Sequence, residues 1–93
     1  MVILDARSLD LDDSIDHLAT TWEVSDDPSF HNVLLQSEED YKNKLTIIFS
    51  ENLDPDMKYY ARARALTAAG WTSWGNVDVF KVRNNTDLTP QDV

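Results

Sequence analysis

The chain of 93 residues contains no cysteine, only two glycines and three prolines, and few basic residues. The absence of cysteine excludes disulfide scaffolds, thiolate zinc sites and cysteine nucleophiles. Together with 42% apolar residues, the scarcity of glycine and proline is typical of a chain that folds. No apolar run approaches the roughly 18–20 residues of a membrane span, so we expect no membrane insertion. We expect one domain, because globular domains most often have about 100–150 residues.

Positive charge is scarce as well, since 8 basic residues stand against 17 acidic ones and the net charge is −9. Residues 1–56 hold 14 acids and 3 bases, whereas residues 57–93 hold 3 acids and 5 bases, so the acidity belongs to the first part of the chain. Nucleic-acid phosphates and anionic lipid surfaces would repel such a chain. We therefore expect no nucleic-acid partner.

The sequence contains no motif that carries catalysis or holds a cofactor. There is no Gly-x-Ser-x-Gly elbow, phosphate-binding glycine loop or His-Glu-x-x-His. The acidic run at residues 10–16 fails as a calcium loop, because Ile15 stands where glycine is needed and Thr21 where the bidentate glutamate belongs. His17 and His31 do not make a metal site, and His17 is expected to form a hydrogen bond near the entrance of a strand. We predict that the chain is not an enzyme and uses neither metal nor cofactor.

Alternation of apolar and polar residues with period two dominates the chain and predicts an all-β fold. The clearest strand runs from Tyr59 to Ala65, where Tyr59 and three alanines alternate with Tyr60, Arg62 and Arg64. Short strands separated by turn signals about every eight to twelve residues are typical of an antiparallel β-sandwich. Residues 1–83 are predicted to form this sandwich and residues 84–93 a flexible tail or linker.

Five further strands are predicted from the same alternation. They are expected at residues 2–11, 18–24, 30–35, 44–49 and 77–82. The polar run at residues 37–40 is expected to end the third of these strands. Leu45, Ile47 and Phe49 are predicted to face inward together, and Trp22 is predicted to be a core residue because it lies on the inward register of its strand.

The second part of the chain reads Leu-Asp-Pro-Asp-Met-Lys-Tyr at residues 53–59, then small alternating residues, and then Gly-Trp-Thr-Ser at residues 70–73. These motifs resemble the second half of a fibronectin type III domain, and the resemblance covers residues 17–82. It implies an immunoglobulin-like sandwich in which the Tyr59 hydroxyl bonds back to the loop backbone and Leu53 plugs the same end. The tryptophan usual on the family's second strand has no counterpart before Leu11, and too few residues precede Trp22 for two full strands. The first strand is therefore expected to be short, missing, or supplied by a neighbour.

Residues 16–30 resemble the corresponding strand and turn in fibronectin-type domains of tailed-phage virion proteins. They read Asp-His-Leu-Ala-Thr-Thr-Trp-Glu-Val-Ser-Asp-Asp-Pro-Ser-Phe, and the later motifs Tyr-Tyr-x-Arg-x-Arg and Trp-x-Ser-Trp are common to the same group. The resemblance implies a structural or adhesive module of a larger virion protein, such as a tail, baseplate or fibre component, that gives spacing or attachment. Its partners would be other protein modules of the parent chain or virion. Outside a phage, an extracellular or cell-surface location is expected.

The candidate site follows from the spacing of arginine and tryptophan. Arg62 and Arg64, two residues apart, must share one sheet face, and Trp71 and Trp74 come just before the neighbouring strand. We predict that the two indoles sandwich the guanidinium groups on the outer face, with Tyr60 on the same face. Two other interpretations stay open: a binding module that recognises a host-surface glycan or protein through these five residues, and an accessory domain of a secreted polysaccharide-degrading enzyme.

Overall fold

The computed structural model describes residues 2–6 and 16–82 of the chain. This part contains seven strands: β1 Val2–Asp5, β2 Ala19–Ser25, β3 Val33–Asp40, β4 Thr46–Phe49, β5 Lys58–Thr67, β6 Gly70–Trp71 and β7 Asp78–Lys81. The described residues contain no helix, and hence none long and apolar enough to cross a membrane. The prediction of an all-β fold is confirmed. The predicted first strand beyond Ala6, most of the acidic run at 10–16 and the predicted tail at 84–93 lie outside the described residues.

All strand pairs are antiparallel and form two sheets. In the smaller sheet, β1 pairs with β4 and Val2 lies opposite Phe49. The larger sheet has the order β3-β2-β5, and β5 then pairs with β6 near one end and with β7 near the other. The inner faces of the two sheets pack against each other, which gives the two-layer architecture of a β-sandwich.

The irregular segment 72–77 keeps β6 and β7 in line along β5. The Thr72 N–H donates to the Ala65 carbonyl and the Gly75 N–H donates to the Ala63 carbonyl, each at 2.8 Å. Residues 70–81 therefore return along β5 as one irregular arm. The turn that starts this arm needs a positive φ, and Gly70 supplies it at +112°.

Trp22 of β2 is the largest fully buried side chain in the core. It lies opposite Ala63 of β5, and the small residues on the inner face of that strand leave room for the indole. Several buried apolar residues surround it: Val2, Val24, Leu35, Ile47, Phe49, Tyr59, Ala61 and Ala63. Because Trp22 has far more apolar surface than any alanine of β5, this indole carries much of the hydrophobic stabilisation between the sheets.

Side chains of β2 hydrogen-bond to the backbone of the loop between β3 and β4. The Trp22 indole N–H donates to the Asn43 carbonyl and the Thr20 hydroxyl donates to the Lys44 carbonyl, each at 2.7 Å. His17 lies beside them, with Nε2 2.6 Å from the Thr20 hydroxyl oxygen, near the entrance of β2 as expected. Burial, followed by the charge of Lys44, lowers the pKa of His17. The loop is thus held by the same strand that supplies the core.

Asp40 closes this loop as a hydrogen-bond acceptor. Its carboxylate accepts from the Ser37 hydroxyl at 2.7 Å, from the Lys42 N–H at 3.0 Å, and from the backbone and side chain of Asn43 at 2.8 and 2.9 Å. Desolvation acts to raise the pKa of Asp40, but these hydrogen bonds outweigh it and hold the pKa at about 2. The ionised form of Asp40 is therefore part of the folded loop.

Tyr59 at the start of β5 is tied to the loop before it. The Asp54 N–H donates to the Tyr59 hydroxyl at 2.8 Å, while the buried ring lies 6.0 Å from the ring of Phe80. Leu53 packs against the core from the same loop. One side chain thus joins the 50–57 loop to both the core and β7.

The predicted end of β3 is wrong. β3 continues through the polar run that was expected to end it, because a bulge separates the pair Trp22–Ser37 from the pair Thr20–Asp40. Within the bulge Glu39 has φ of +49°, and its N–H donates to the Thr21 hydroxyl at 3.0 Å instead of to a backbone carbonyl. A side chain of β2 therefore supplies the acceptor that the acidic residues need to stay in the sheet.

The predicted inward orientation of Leu45 is wrong as well. Ile47 and Phe49 are buried as predicted, but Leu45 is 68% exposed. It lies in the bend that precedes β4, where side chains do not follow the alternation of a pleated strand.

Replacing Asp40 by Asn should destabilise the protein at neutral pH, with a difference from the parent that narrows in acid. The folded-state pKa of about 2 lies below the ordinary 3.8, so the stabilisation is present above about pH 4 and is lost as the pH falls towards 2. Urea unfolding between pH 7 and pH 3 measures the difference. Glu38→Gln, at an exposed carboxylate of the same strand, is the control. A difference for Asp40→Asn that stayed constant down to pH 3 would contradict the prediction.

Replacing Tyr59 by Phe should lower the free energy of unfolding by about 1–2 kcal/mol, because the partly buried Asp54 N–H loses its acceptor while the ring stays in the core. Tyr60→Phe is the matched control, since it removes the same atom from the next residue on the opposite face. Urea unfolding compares the two variants. Equal effects at both positions would show that the bond to Asp54 contributes nothing specific.

Candidate functional site

The outer face of the larger sheet carries the residues that the sequence analysis selected. On β5, Tyr60, Arg62 and Arg64 alternate with buried core residues, so their side chains point away from the core. The strand register places Arg62 beside Glu23 and Arg64 beside Thr21 on β2. Both of these β2 residues are buried, which means that the outer face is covered.

Arg62 lies between two aromatic rings and is paired with a buried carboxylate. Its Cζ atom is 4.0 Å from the ring centroid of Trp74 and 4.2 Å from that of Phe30. Its Nε and Nη2 both lie 2.8 Å from Oε1 of Glu23, and Gln36 donates to Oε2 at 3.1 Å. Because Glu23 is only 8% exposed, the guanidinium of Arg62 is the group that neutralises its charge.

Arg64 is held mainly by rings. Its Cζ atom lies 4.8 Å from the ring centroid of Trp71 and 4.9 Å from that of Trp74. Its Nε is buried and has no hydrogen-bond partner within the part of the chain that the structure describes. Trp74 therefore contacts both arginines, and we call Arg62, Arg64, Trp71 and Trp74 the arginine–tryptophan ladder.

The two tryptophans reach one face because the strand between them is irregular. Residues three apart in a regular strand point to opposite faces. Here the Thr72 hydroxyl accepts the Ala65 N–H at 3.0 Å, where a regular pair would use a backbone carbonyl, and it donates to the Ser73 carbonyl at 2.9 Å. This break in the alternation explains how Trp71 and Trp74 can both contact arginines of β5.

Phe30 also belongs to this site, and the prediction that it lies in a strand is wrong. It lies in the loop between β2 and β3, is 7% exposed and has φ of +57°. Asp27 shapes the turn, since its carbonyl accepts the Phe30 N–H at 2.9 Å and its carboxylate accepts the Ser29 N–H at 3.1 Å. A left-handed φ in a bulky residue costs about 1–3 kcal/mol, which the contact with Arg62 helps to offset. The available signal was an aromatic residue directly after an Asp-Pro turn.

Tyr60 stands apart from the other selected residues. It lies on the same face, but its strand neighbours are Ser25 on β2 and Val79 on β7. No ring contact joins Tyr60 to an arginine within the residues that the structure describes. The structure thus brings together four of the five predicted residues and adds Phe30 and Glu23 to them.

The chemistry available to this arrangement is packing and charge neutralisation. The two arginines lie against the rings, and the guanidinium of Arg62 is engaged by Glu23. Among residues 2–6 and 16–82 there is no group of three or more His, Asp or Glu side chains that could hold a metal ion. The ladder therefore covers the outer face of β2 and does not form an open cavity.

Comparisons with protein-family models, with curated proteins and with solved structures find no match for this chain. A functional assignment therefore depends on the sequence patterns and the geometry described above.

Replacing Arg62 by Ala should lower the free energy of unfolding by about 3 kcal/mol, because the buried carboxylate of Glu23 is left without its counter-charge. Arg64→Ala removes a similar side chain and two ring contacts but leaves no buried charge unpaired. The free energy of unfolding should therefore fall by about 1–2 kcal/mol. Urea unfolding gives both values.

The double variant Arg62→Ala with Glu23→Gln separates charge from packing. It should be more stable than Arg62→Ala alone, because no unpaired carboxylate remains. Two outcomes would contradict the importance of the ion pair: a larger loss of unfolding free energy for Arg64→Ala than for Arg62→Ala, or a double variant no more stable than Arg62→Ala.

Proposed function

We propose that this chain is a fibronectin type III-like β-sandwich that acts as a non-catalytic structural or adhesive module of a larger phage virion protein. The observation that carries the proposal is the bond from the Asp54 N–H to the Tyr59 hydroxyl. In immunoglobulin-like sandwiches a tyrosine near the start of strand F bonds back to the backbone a few residues upstream. Tyr59 occupies that place at the start of β5.

The strand order supports the same assignment. Immunoglobulin-like sandwiches place strands C, F and G in one sheet, with C′ as an added edge strand, and strands B and E side by side in the other. The order β3-β2-β5 followed by β6 and β7 agrees with C′-C-F-G, and the pair β1-β4 agrees with B-E. No strand of the described residues stands in the place of strand A.

Support for a virion protein comes from the resemblance of residues 16–30 to domains of tail, baseplate and fibre proteins. Two aromatic residues of that segment have defined structural contacts. Trp22 fills the core and Phe30 lies against Arg62 on the opposite face of the sheet. The segment therefore contributes one aromatic residue to the core and one to the outer face of the larger sheet. Such a doubly packed segment suits a rigid module that spaces or attaches other parts of a virion.

The ladder favours a structural role over recognition of a glycan. An aromatic platform for sugars needs an accessible ring face, whereas the ring of Trp74 is engaged by both arginines. Trp71 is the exception, since it is 36% exposed and contacts only Arg64 among the described arginines. Recognition of a host-surface glycan or protein through Trp71 is therefore the second candidate function.

Three measurements on the parent chain and on the variants Trp71→Ala and Trp74→Ala test the structural role. They are acrylamide quenching of tryptophan fluorescence, binding of the labelled chain to a glycan array, and urea unfolding. We expect slow quenching, no retention on the array, and a loss of about 2 kcal/mol or more in unfolding free energy for Trp74→Ala, because both arginines lose a ring. Retention on the array that Trp71→Ala abolished without changing stability would instead support the binding module.

A further inference from the structure

The basic residues of this chain gather on one surface. On β5, Lys58, Arg62 and Arg64 alternate with core residues, so their side chains lie on the outer face of the larger sheet. Lys81 of β7 joins them, because it follows Phe80, which packs against the core, and lies opposite Lys58. Four of the six basic residues that the structure describes therefore share the outer face of β5 and β7.

One of these four charges is neutralised within the molecule and three are not. Arg62 is paired with Glu23 at 2.8 Å. In the described part of the chain, no carboxylate lies within ion-pair distance of Lys58, Lys81 or Arg64. Both lysines are exposed, and like charges directly opposite each other in a sheet are destabilising. The fold thus holds positive charge on this face that its own described carboxylates do not balance.

Aromatic and apolar side chains lie along the same face. Val79 is directly opposite Tyr60 and is 58% exposed. The ring centroid of Trp71 lies 4.8 Å from Cζ of Arg64, and Trp71 is 36% exposed. Tryptophan, tyrosine and arginine are enriched among the residues that carry most of the binding energy in protein interfaces. The name basic–aromatic stripe is used for six residues: Lys58, Tyr60, Arg64, Trp71, Val79 and Lys81.

The length and charge of the stripe restrict what can bind it. Lys58 and Arg64 are six residues apart on β5, so the two ends of the stripe are about 20 Å apart. Residues 1–56 are strongly acidic, so a long polyanion such as a nucleic acid would be attracted at the stripe and repelled beyond it. A short extended polypeptide with a carboxylate near each end does not reach beyond the stripe. Carboxylates also match the planar donors of a guanidinium group.

We propose that the basic–aromatic stripe docks an acidic, extended segment of another protein module. One carboxylate of this segment lies between Lys58 and Lys81, where it relieves the repulsion between them, and a second pairs with Arg64. Apolar side chains of the segment cover Val79 and Trp71. The inference rests on the proposed role in attachment and names the chemistry of the partner.

Binding of a short capped peptide of alternating glutamate and valine to the full chain tests the docking. Fluorescence anisotropy of the labelled peptide should show binding that weakens as salt is added. A control peptide with glutamine in place of every glutamate should not bind. Equal binding of the two peptides, or no binding of the acidic peptide at low salt, would overturn the proposal. The structural role would survive that result, because it is judged from unfolding.

Substitutions in the stripe separate docking from folding. Lys81→Gln should weaken peptide binding about two- to fivefold, the effect of losing one exposed ion pair. Its free energy of unfolding should stay equal or rise, because a like-charge pair has been removed. Arg64→Gln should weaken binding about tenfold or more, and Arg64→Lys should recover only part of the loss, since lysine cannot bind a carboxylate with a planar fork.

Lys42→Gln makes the same change of charge at an exposed lysine outside the stripe and is the matched control. It should leave peptide binding unchanged. If Lys42→Gln weakened binding as much as Lys81→Gln, the attraction would not be specific to the stripe and the proposal would be wrong.

Two other occupants of the stripe would give different results. A galacturonate oligomer that bound as tightly as the acidic peptide would indicate a carboxylated glycan and support the second candidate function instead. Replacing Asp87 and Asp92 by Asn removes the carboxylates of the last ten residues. If the acidic peptide bound to that variant and not to the parent, the chain's own end would occupy the stripe. Either result would contradict docking of another module.

Discussion

The ion pair of Arg62 with Glu23, enclosed between the rings of Phe30 and Trp74, is the interaction on which the outer half of this protein depends. It joins four separate parts of the chain: β2, the loop after it, β5 and the irregular segment that returns along β5. Each ring excludes water from the pair, and exclusion of water strengthens the attraction between the charges. The carboxylate would be costly to bury without this partner, and the loop would have little reason to fold over the sheet without the guanidinium.

The arginines and aromatic rings on the outer face bury apolar area that the small residues on the inner face of β5 do not. The inner face of β5 carries Ala61, Ala63 and Ala65 after Tyr59, and an alanine buries little apolar area. On the opposite face, Arg62 and Arg64 contribute long aliphatic stems as well as charge, so they cover β2 with apolar atoms while the guanidinium groups meet aromatic rings. As a result every residue of β2 is buried. The strand is enclosed by the hydrophobic core on one side and by the ladder on the other, although only one side is hydrophobic in sequence.

That enclosure marks the limit of what the sequence could predict. Period-two alternation was enough to locate β2, β4, β5 and β7 and to put both arginines on one face, because alternation follows directly from backbone geometry. Alternation does not predict that Glu23 and Thr21, polar residues that alternate with core residues on β2, are buried. Their burial depends on Phe30 folding back from a loop and on an irregular segment that brings Trp71 and Trp74 to one face. Neither feature follows from the alternation of residues along a strand. The bulge at Glu39 was missed for the same reason, since its acceptor lies eighteen residues away in Thr21.

The edges of the two sheets differ in a way that bears on assembly. The outer strand of the larger sheet, β3, has a bulge and the exposed carboxylates Glu38 and Glu39, which are common means of preventing strand addition. The smaller sheet has instead the continuous apolar runs Val2-Ile3-Leu4 and Ile47-Ile48-Phe49. Such runs are typical of strands that are covered on more than one side. A two-stranded sheet is marginal by itself, and among residues 2–6 and 16–82 it is the larger sheet that covers it, on the inner face. The composition of β1 and β4 therefore suits a sheet with further cover on its outer face, because Ile3 and Ile48 are the apolar side chains that the described residues leave exposed there.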